Sequence, residues 1–398
     1  MSKDKQKAAL RTCCGAHILH DGLTDILYGL LPLLREAFGL TYAEVGMIRS
    51  AHRVATAALQ IPVGMWSEKA GTRSLLVAGT IIAGAGFIGL GFANGFWMVL
   101  AFIFLAGCGG AFQHPLSSAI ISNAYPGEGQ RAALGTYNAF GDIGKFLFLG
   151  SLILCTAGLG FSWQVPVFGA GILSFVTAIG VLFALKAASI GGAPVVPDKE
   201  TVVQTVNGWG VKHRRGFFLL GTVTALDNST RNGFLTFAAF LMIEKGVATE
   251  WAALAVLFTV FGGMCGKMAV GLIAERIGVT KTIALTEFAT SALILLVVVT
   301  PSLYAFFLLP VLGVFLNGTS SAIYGTVPDL IEGQKHSRAY GLIYTLGSVC
   351  GIVAPLVYGL LSDWTSITTA MVVIAGVVLL TVPLCGPLAV ALREARAT

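Results

Sequence analysis

The sequence predicts an all-α integral membrane protein in which twelve transmembrane helices form two pseudo-symmetric six-helix bundles. Of its 398 residues, 56% are hydrophobic and only 11% are charged, less than half of the ~25% charged residues of an average soluble domain. The apolar residues form long runs, and the polar pattern of the first half recurs in the second. The net charge is only +6, and the Lys and Arg residues form no basic stripe, which argues against a nucleic-acid-binding protein.

The apolar runs define the individual helices. A membrane span needs ~20 mostly apolar residues, and twelve such runs stand between polar breaks. The first run contains several ionisable residues and no small-residue cleavage site, so we expect it to remain on the protein as a span. In chain order the predicted spans are approximately 11–37, 43–66, 74–94, 97–122, 132–158, 163–186, 216–243, 251–274, 281–300, 303–325, 338–361 and 367–391.

The longest polar break divides the spans into six and six. It contains two glycines, two prolines and a basic cluster, a composition typical of a linker. We therefore predict an N-terminal bundle at residues 1–186, a cytoplasmic linker at 187–215 and a C-terminal bundle at 216–398.

The distribution of basic residues predicts the orientation in the membrane. If the N-terminus is cytoplasmic, the inner segments contain eighteen Lys and Arg residues, and the outer loops contain only Arg35 and Lys245. Cytoplasmic loops are enriched in Lys and Arg. We therefore predict a multi-pass protein of the inner (cytoplasmic) membrane with both termini in the cytoplasm.

A short motif between spans two and three recurs in the second half of the chain. Its first copy is Gly64-Met-Trp-Ser-Glu68-Lys69-Ala-Gly71-Thr-Arg73, and its second is Gly271-Leu-Ile-Ala-Glu275-Arg276-Ile-Gly278, which begins 207 residues later (271 − 64 = 207). Arg131 and Arg338 have the same separation, which indicates an internal duplication. The glycines suit a tight turn and close helix packing. We predict a cytoplasmic gate formed by Gly64, Glu68, Gly71, Arg73, Arg131, Glu275, Arg276 and Arg338.

At this motif the sequence resembles the major facilitator superfamily, whose signature is G-x-x-x-[DE]-[RK]-x-G-[RK]-[RK]. Within it, His20-Asp21 before Leu31-Pro32-Leu33-Leu34, and Phe112-x-His114-Pro115, are similar to the fosmidomycin-resistance type of drug exporter. The chain departs from that group at Gly141-Asp142-Ile-Gly144-Lys145 and in the additional Arg49, His52 and Arg53. The resemblance implies a monomer whose two bundles rock about a central cavity, driven by an ion gradient, and it implies export.

Ionisable side chains within the spans are candidates for function, because a charge at bilayer depth is costly unless it is paired or faces water. In span one, His17, His20, Asp21 and Asp25 fall within an arc of about 140°. Burial and a neighbouring cation act in opposite directions on the proton affinity of a carboxyl group. We therefore predict that Asp21 and Asp25, with His17 and His20, couple transport to protons, Asp21 being the first choice.

Span two carries the clearest candidates for substrate binding. Arg49, His52, Arg53 and Gln60 share one helical face, and no acidic residue of that span compensates the two guanidinium groups. Arg binds carboxylate and phosphonate groups well, so these arginines either hold an anionic substrate or pair with carboxylates of span one. The further substrate-binding candidates are His114, Asn138, Asp142, Lys145, Asp227, Arg231 and Tyr344.

Structural roles remain open for several of these residues. Asp142 with Lys145, and Asp227 with Arg231, have the spacing of pairs within one helix that fix packing or gate the cavity. His114 precedes a proline and is equally suited to satisfying the backbone groups that the proline frees. Glu287 and Lys267 stand alone near the cytoplasmic ends of their spans, and for them we expect structural roles.

The leading functional prediction is a proton-coupled secondary transporter, an antiporter that exports a small polar or anionic organic compound or drug. The alternative is proton-coupled uptake of a small organic anion. A divalent-metal transporter ranks lower, because the arginines would repel a cation. An enzyme or a signalling receptor is not expected, nor is a metal site or a cofactor besides the proton gradient. The expected partners are the substrate, protons and the lipid bilayer.

Overall fold

The computed structural model is all helical in its described part, which covers residues 1–126, 129–192, 211–330 and 336–397, excluding the side chains of residues 68, 131, 328, 336–344 and 396–397. The chain divides into two compact units. One contains Met1–Leu40 and Met47–Val202, and the other contains Thr41–Gly46 and Val203–Thr398.

The N-terminal unit is built from seven helices, and only two residues separate the fourth helix from the fifth. A single turn of π-helix, Leu154–Gly158, extends the sixth helix. The helices are α1 (Lys3–Phe38), α2 (Tyr42–Ala70), α3 (Thr72–Gly91), α4 (Phe96–Gly110), α5 (Gln113–Ala124), α6 (Gly129–Ile153) and α7 (Gln164–Ala187).

The C-terminal unit is also built from consecutive helices, with short breaks after Ala252 and after Leu379. A 3₁₀ turn, Val327–Leu330, follows its fifth helix. The helices are α8 (Arg214–Glu244), α9 (Thr249–Ala252), α10 (Leu254–Ile277), α11 (Val279–Val299), α12 (Ser302–Thr326), α13 (His336–Trp364), α14 (Ile367–Leu379) and α15 (Val382–Ala397).

Length and composition qualify nine helical segments in the described residues as candidate membrane spans. The long helices α1, α2 and α8 are not among these nine. They carry many of the ionisable side chains that lie within the predicted spans. The chain is thus an integral membrane protein in which the less apolar helices contribute the polar interior.

Glycine permits the sharp turns at the two copies of the repeated motif. Gly71, between α2 and α3, has φ +80°, and Gly278, between α10 and α11, has φ +90°. Other L residues rarely adopt this region of backbone conformation. The prediction of a tight turn at both sites is confirmed by the backbone.

Close contact between α1 and α6 positions the polar residues of the N-terminal unit. A Cβ atom on Gly144 of α6 would collide with the backbone carbonyl of Ile18 in α1. Apolar side chains of α1, α5, α6 and α7 form a core beside this crossing, including Cys13, Leu116 and Val181. The crossing therefore places the polar face of α1 directly against α6.

Candidate functional site

The N-terminal unit contains a polar cavity of about 260 Å³. Four helices supply its ionisable side chains: α1, α2, α5 and α6. The cavity is lined by His20, Asp21, Thr24, Asp25, His52, Arg53, Thr56, Gln60, Gly110, His114 and Lys145. Most of the residues that the sequence proposed for proton coupling and substrate binding in this half therefore lie around one space.

A break between α4 and α5 brings His114 to the cavity. The sequence predicts one span over 97–122, but the helix ends at Gly110 and restarts at Gln113. Pro115 lies in the first turn of α5, where its missing N–H is tolerated, whereas inside a continuous helix it would remove a hydrogen bond. His114 then points at Asp21 and Tyr137.

Asp21 lies at the centre of a group of charged side chains that we call the Asp21 cluster: His17, Asp21, His114, Asp142 and Lys145. Lys145 Nζ is 3.3 Å from Asp21 Oδ2 and donates a hydrogen bond of 3.0 Å to Asp142 Oδ1. The Nε2 atoms of His17 and His114 lie 3.2 and 3.5 Å from Asp21 Oδ1. One ammonium group thus joins two carboxylates.

The position of one proton in the cluster follows from the contacts of His17. Its Nδ1 lies 2.8 Å from the backbone carbonyl oxygen of Tyr137, which can only accept, so Nδ1 carries a hydrogen. A neutral imidazole has one N–H, which leaves a lone pair on Nε2. That lone pair would face a carboxylate oxygen at 3.2 Å. Nε2 makes no hydrogen bond to any described residue, and a further proton on His17 Nε2 or on Asp21 would turn the repulsion between the lone pair and the carboxylate into an attraction.

The charges of Asp21, Asp142 and Lys145 favour the same proton. With Asp21 and Asp142 ionised and Lys145 protonated, the three groups carry a net charge of −1. These side chains are only 14–23% exposed, and an uncompensated charge that is largely removed from water is costly. One added proton, shared by His17 and Asp21, makes the cluster neutral.

His114 and Tyr137 complete the cluster without a second added proton. The hydroxyl of Tyr137 lies 3.5 Å from His114 Nδ1 and accepts from Gln113 Nε2. Tyr137 can donate to Nδ1 of a neutral His114, whose Nε2–H then faces Asp21. The ring of Tyr137 also stacks on His17, with centroids 3.9 Å apart.

Tyr137 is a residue that the sequence reasoning missed, and so are Thr24, Thr80 and Gly141. Thr24 and Thr80 hold other side chains in place. The backbone carbonyl oxygen of Thr24 accepts a hydrogen bond from Arg49, and the hydroxyl oxygen of Thr80 accepts one from His20 Nε2. A Cβ on Gly141 would lie 2.6 Å from the His17 ring and 2.8 Å from Asp21 Oδ2. Tyr137 and Gly141 are four residues apart on α6, and that helical spacing was the available signal.

The two arginines of α2 have different surroundings. Arg49 is completely buried: it donates to the carbonyl oxygen of Thr24 at 3.0 Å, lies 4.0 Å from Asp25 Oδ1, and stacks 4.0 Å from the centre of the Tyr28 ring. Arg53 instead lines the cavity, and its Nε is buried and donates no hydrogen bond to a described residue. Arg49 thus has the structural pairing with span one, and Arg53 is available to a ligand.

In the C-terminal unit, α8 carries a second charged group. Arg231 lies 3.8 Å from Asp227 Oδ2 and hydrogen-bonds the side-chain oxygen of Asn228. Asp227 is buried, and its Oδ2 accepts no hydrogen bond from the described residues. The pair predicted within this helix is therefore present.

The remaining site candidates have varied positions. Asn138 is exposed, as are Glu275 and Arg276. Arg73 donates to the carbonyl oxygen of Ile190 at 3.4 Å, beyond the end of α7. The side chains of Glu68, Arg131, Arg338 and Tyr344 lie outside the described residues.

Three groups of the Asp21 cluster also have the chemistry of metal ligands. One donor atom from each of His17, Asp21 and His114 lies within 4.8 Å of the others. Lys145, 3.3 Å from the second oxygen of Asp21, places a positive charge beside that group. The geometry therefore suits a proton better than a divalent ion.

The family follows from a sequence match over nearly the whole chain. The family model described as Major Facilitator Superfamily matches residues 13–309 and 249–397. The chain belongs to the major facilitator superfamily. This superfamily consists of membrane transporters rather than enzymes, so the chain is a transporter of a small molecule.

Two curated members of the superfamily and one solved structure illustrate the similarity. The fosmidomycin resistance protein of Escherichia coli (strain K12) is 25% identical, with 88% of this chain and 86% of that protein covered. The probable sulfoacetate transporter SauU of Cupriavidus necator is also 25% identical, with coverages of 87% and 85%. A bacterial homologue of the human lysosomal transporter Spinster, in an inward-facing and occupied conformation, has a TM-score of 0.77 at 16% identity, with coverages of 100% and 98%. This last similarity shows that the fold is shared.

Proposed function

We propose that this protein is a proton-coupled secondary active transporter of a small organic anion. The observation that carries the proposal is a cavity that combines an arginine with a group of carboxylates and histidines able to bind one proton. Arg53 lines the cavity together with Asp21 and Lys145, and a proton on His17 or Asp21 would make their 3.2 Å approach attractive.

The charges around the cavity determine which ligand it favours. Asp25 and Arg49 neutralise each other, and the Asp21 cluster is neutral when it holds its proton. Arg53 then remains as a net positive charge on the cavity wall. A guanidinium group binds carboxylate and phosphonate groups through two parallel hydrogen bonds, so a small anion of this kind is the preferred substrate.

The same charges favour movement of the proton and the anion in the same direction. Loss of the proton leaves the Asp21 cluster with a charge of −1, which repels an anion on Arg53 and weakens its binding. By linkage, a bound anion strengthens proton binding to the same extent. Electrostatics therefore supports proton-coupled uptake, which the sequence ranked as the alternative. The curated relative from Cupriavidus necator, whose name gives sulfoacetate as its substrate, is consistent with an organic anion.

Export is the second candidate. It is supported by the resemblance to the fosmidomycin-resistance type of exporter and by the curated relative of that name. An exporter of an anion would need the incoming proton to displace the substrate, which is opposite to the effect expected from the charges of Arg53 and the Asp21 cluster. The direction of proton movement distinguishes the two candidates.

Ligand-induced thermal stabilisation tests the anion site. Ligands that bind the folded state raise its apparent stability by mass action. We expect small organic acids or phosphonates from a screening panel to raise the unfolding temperature of the wild type. The increase should be retained in Arg11→Gln, which removes an exposed arginine of α1, and lost in Arg53→Gln.

Two results would contradict the anion site. An equal increase in Arg53→Gln would remove Arg53 from the binding site. Stabilisation by divalent metals that disappears in His114→Gln would instead support a metal site at His17, Asp21 and His114.

A further inference from the structure

A second group of buried acids lies in the C-terminal unit, apart from the cavity described above. Glu287 of α11 is 1% exposed, and its Oε1 has no hydrogen-bond partner in the described residues. Glu287 lies within electrostatic reach of Asp227 and Arg231 of α8. We call these three residues the Glu287 site.

Glu287 lies deep within its helix. It is eight residues from the start of α11 at Val279, which at 1.5 Å per residue is ~12 Å along a helix of ~30 Å. This depth is close to the middle of a hydrocarbon core ~30 Å thick. A carboxylate there needs a cation or a proton.

The charges of the Glu287 site do not balance. Arg231 is paired with Asp227, at 3.8 Å, and one guanidinium group cannot neutralise two carboxylates. The site therefore has one excess negative charge whenever both acids are ionised.

The surrounding helices provide few other titratable groups near the site. Cys385 of α15 is within electrostatic reach of Glu287, and α14 has no titratable residue. The other described titratable residues on the elements packed against α8 and α11 are Glu250, Cys265, Lys267, Glu275, Arg276, Tyr304, Tyr324, Asp329, Cys350, Tyr358, Asp363, Arg393 and Glu394.

We propose that Asp227, Arg231 and Glu287 form a second proton-binding site, in which the proton rests on Glu287 and contributes to coupling. A proton neutralises the excess charge and gives Glu287 a donor hydrogen. A metal cation would have to lie near the guanidinium group of Arg231, which repels it. Asp227 keeps its negative charge because it is the acid paired with Arg231. The site does not depend on the anion cavity of the N-terminal unit.

Infrared spectroscopy at neutral pH tests where this proton lies, because a protonated carboxyl group and a carboxylate absorb at different frequencies. We expect the difference spectrum between wild type and Glu287→Gln to show the loss of a protonated carboxyl band. In Asp227→Asn, Glu287 becomes the only acid of the Glu287 site and should ionise, so the same band should disappear there. Loss of a carboxylate band in Glu287→Gln, or a band that persists in Asp227→Asn, would overturn the proposal.

Transport measurements test whether the proton is coupled. A pH difference of one unit supplies ~1.4 kcal/mol for each proton that is transported with the substrate. Each coupled proton therefore raises the highest ratio of inside to outside substrate concentration about tenfold. We expect Glu287→Gln to lower that limit about tenfold and to retain counterflow exchange. An unchanged limit would show that the proton is not coupled. A wild type without proton-driven accumulation would contradict the proposed function as well, and the infrared result would still decide whether Glu287 binds the proton.

Discussion

Arg49 and Arg53 show how two identical residues, one helical turn apart, acquire different roles from their neighbours. Arg49 is enclosed by Thr24, Asp25 and Tyr28 of α1, and Arg53 borders the cavity. Sequence periodicity placed both on the polar face of α2. It did not separate them, because the difference depends on which residues of α1 lie opposite.

Removal of the Arg49 side chain is expected to damage stability more than binding. Arg49→Gln leaves Asp25 without its cation in a buried setting, and breaking a buried ion pair costs ~3 kcal/mol or more. The free energy of unfolding in detergent, measured by chemical denaturation, checks this expectation. Arg53→Gln is the matched control and should lose much less stability, so equal losses would contradict the distinction between the two arginines.

Helix packing through glycine determines how closely the polar elements approach. Gly141 provides the space in which His17 and Asp21 meet α6, and Gly144 allows the crossing of α1 and α6. In the C-terminal unit, Gly313 of α12 packs so closely on α10 that a Cβ would strike the carbonyl of Thr259. Such small residues let helix backbones approach in membrane proteins.

Gly141→Ala is expected to disturb the Asp21 cluster directly. Its methyl group would lie 2.6 Å from the His17 ring, so His17 and Asp21 must move apart. We expect proton-driven transport to fall strongly, while stability falls by ~1–3 kcal/mol. Gly150→Ala, on the same helix with no atom near the new methyl group, should transport as the wild type does. Normal proton-driven transport by Gly141→Ala would contradict the importance of this close contact.

Gly313→Ala tests packing without touching the charged groups. The new methyl group meets backbone of α10, which cannot move aside as a side chain does, so we expect a loss of ~1–3 kcal/mol in unfolding free energy. Gly325→Ala, also in α12, has open space and is expected to unfold like the wild type. If both variants unfold alike, α10 and α12 do not pack as closely as described.

At the scale of the whole molecule, the sequence predicted the fold class because membrane spans are encoded locally, in runs of apolar residues. The polar stripe of α1 was also predictable, since helical periodicity is local. The break before Gln113 and the contact of His17 with Tyr137 were not predicted: the latter joins residues 120 positions apart and depends on tertiary packing. The sequence assigned Glu287 a structural role because it stands alone near a cytoplasmic end of its span, and periodicity within one span could not relate it to Asp227 and Arg231 of α8. The roles proposed for all these residues stay predictions.

The orientation of the chain is a further prediction at this scale. The basic residues predict that both termini are cytoplasmic. A fluorescent protein that matures only in the cytoplasm should therefore be bright when fused after Thr398, and alkaline phosphatase, which needs the periplasm, should be inactive there. The opposite pattern would place the C-terminus outside.

The direction of proton movement with the substrate tests the central claim most directly. Purified protein would be placed in liposomes that contain a pH-sensitive dye, and an anion identified by thermal stabilisation would be added outside without a pH gradient. We predict acidification of the interior by the wild type, and none by Asp21→Asn, which should still exchange substrate in counterflow. Alkalinisation, anion entry without proton movement, or normal acidification by Asp21→Asn would contradict proton–anion cotransport through the Asp21 cluster.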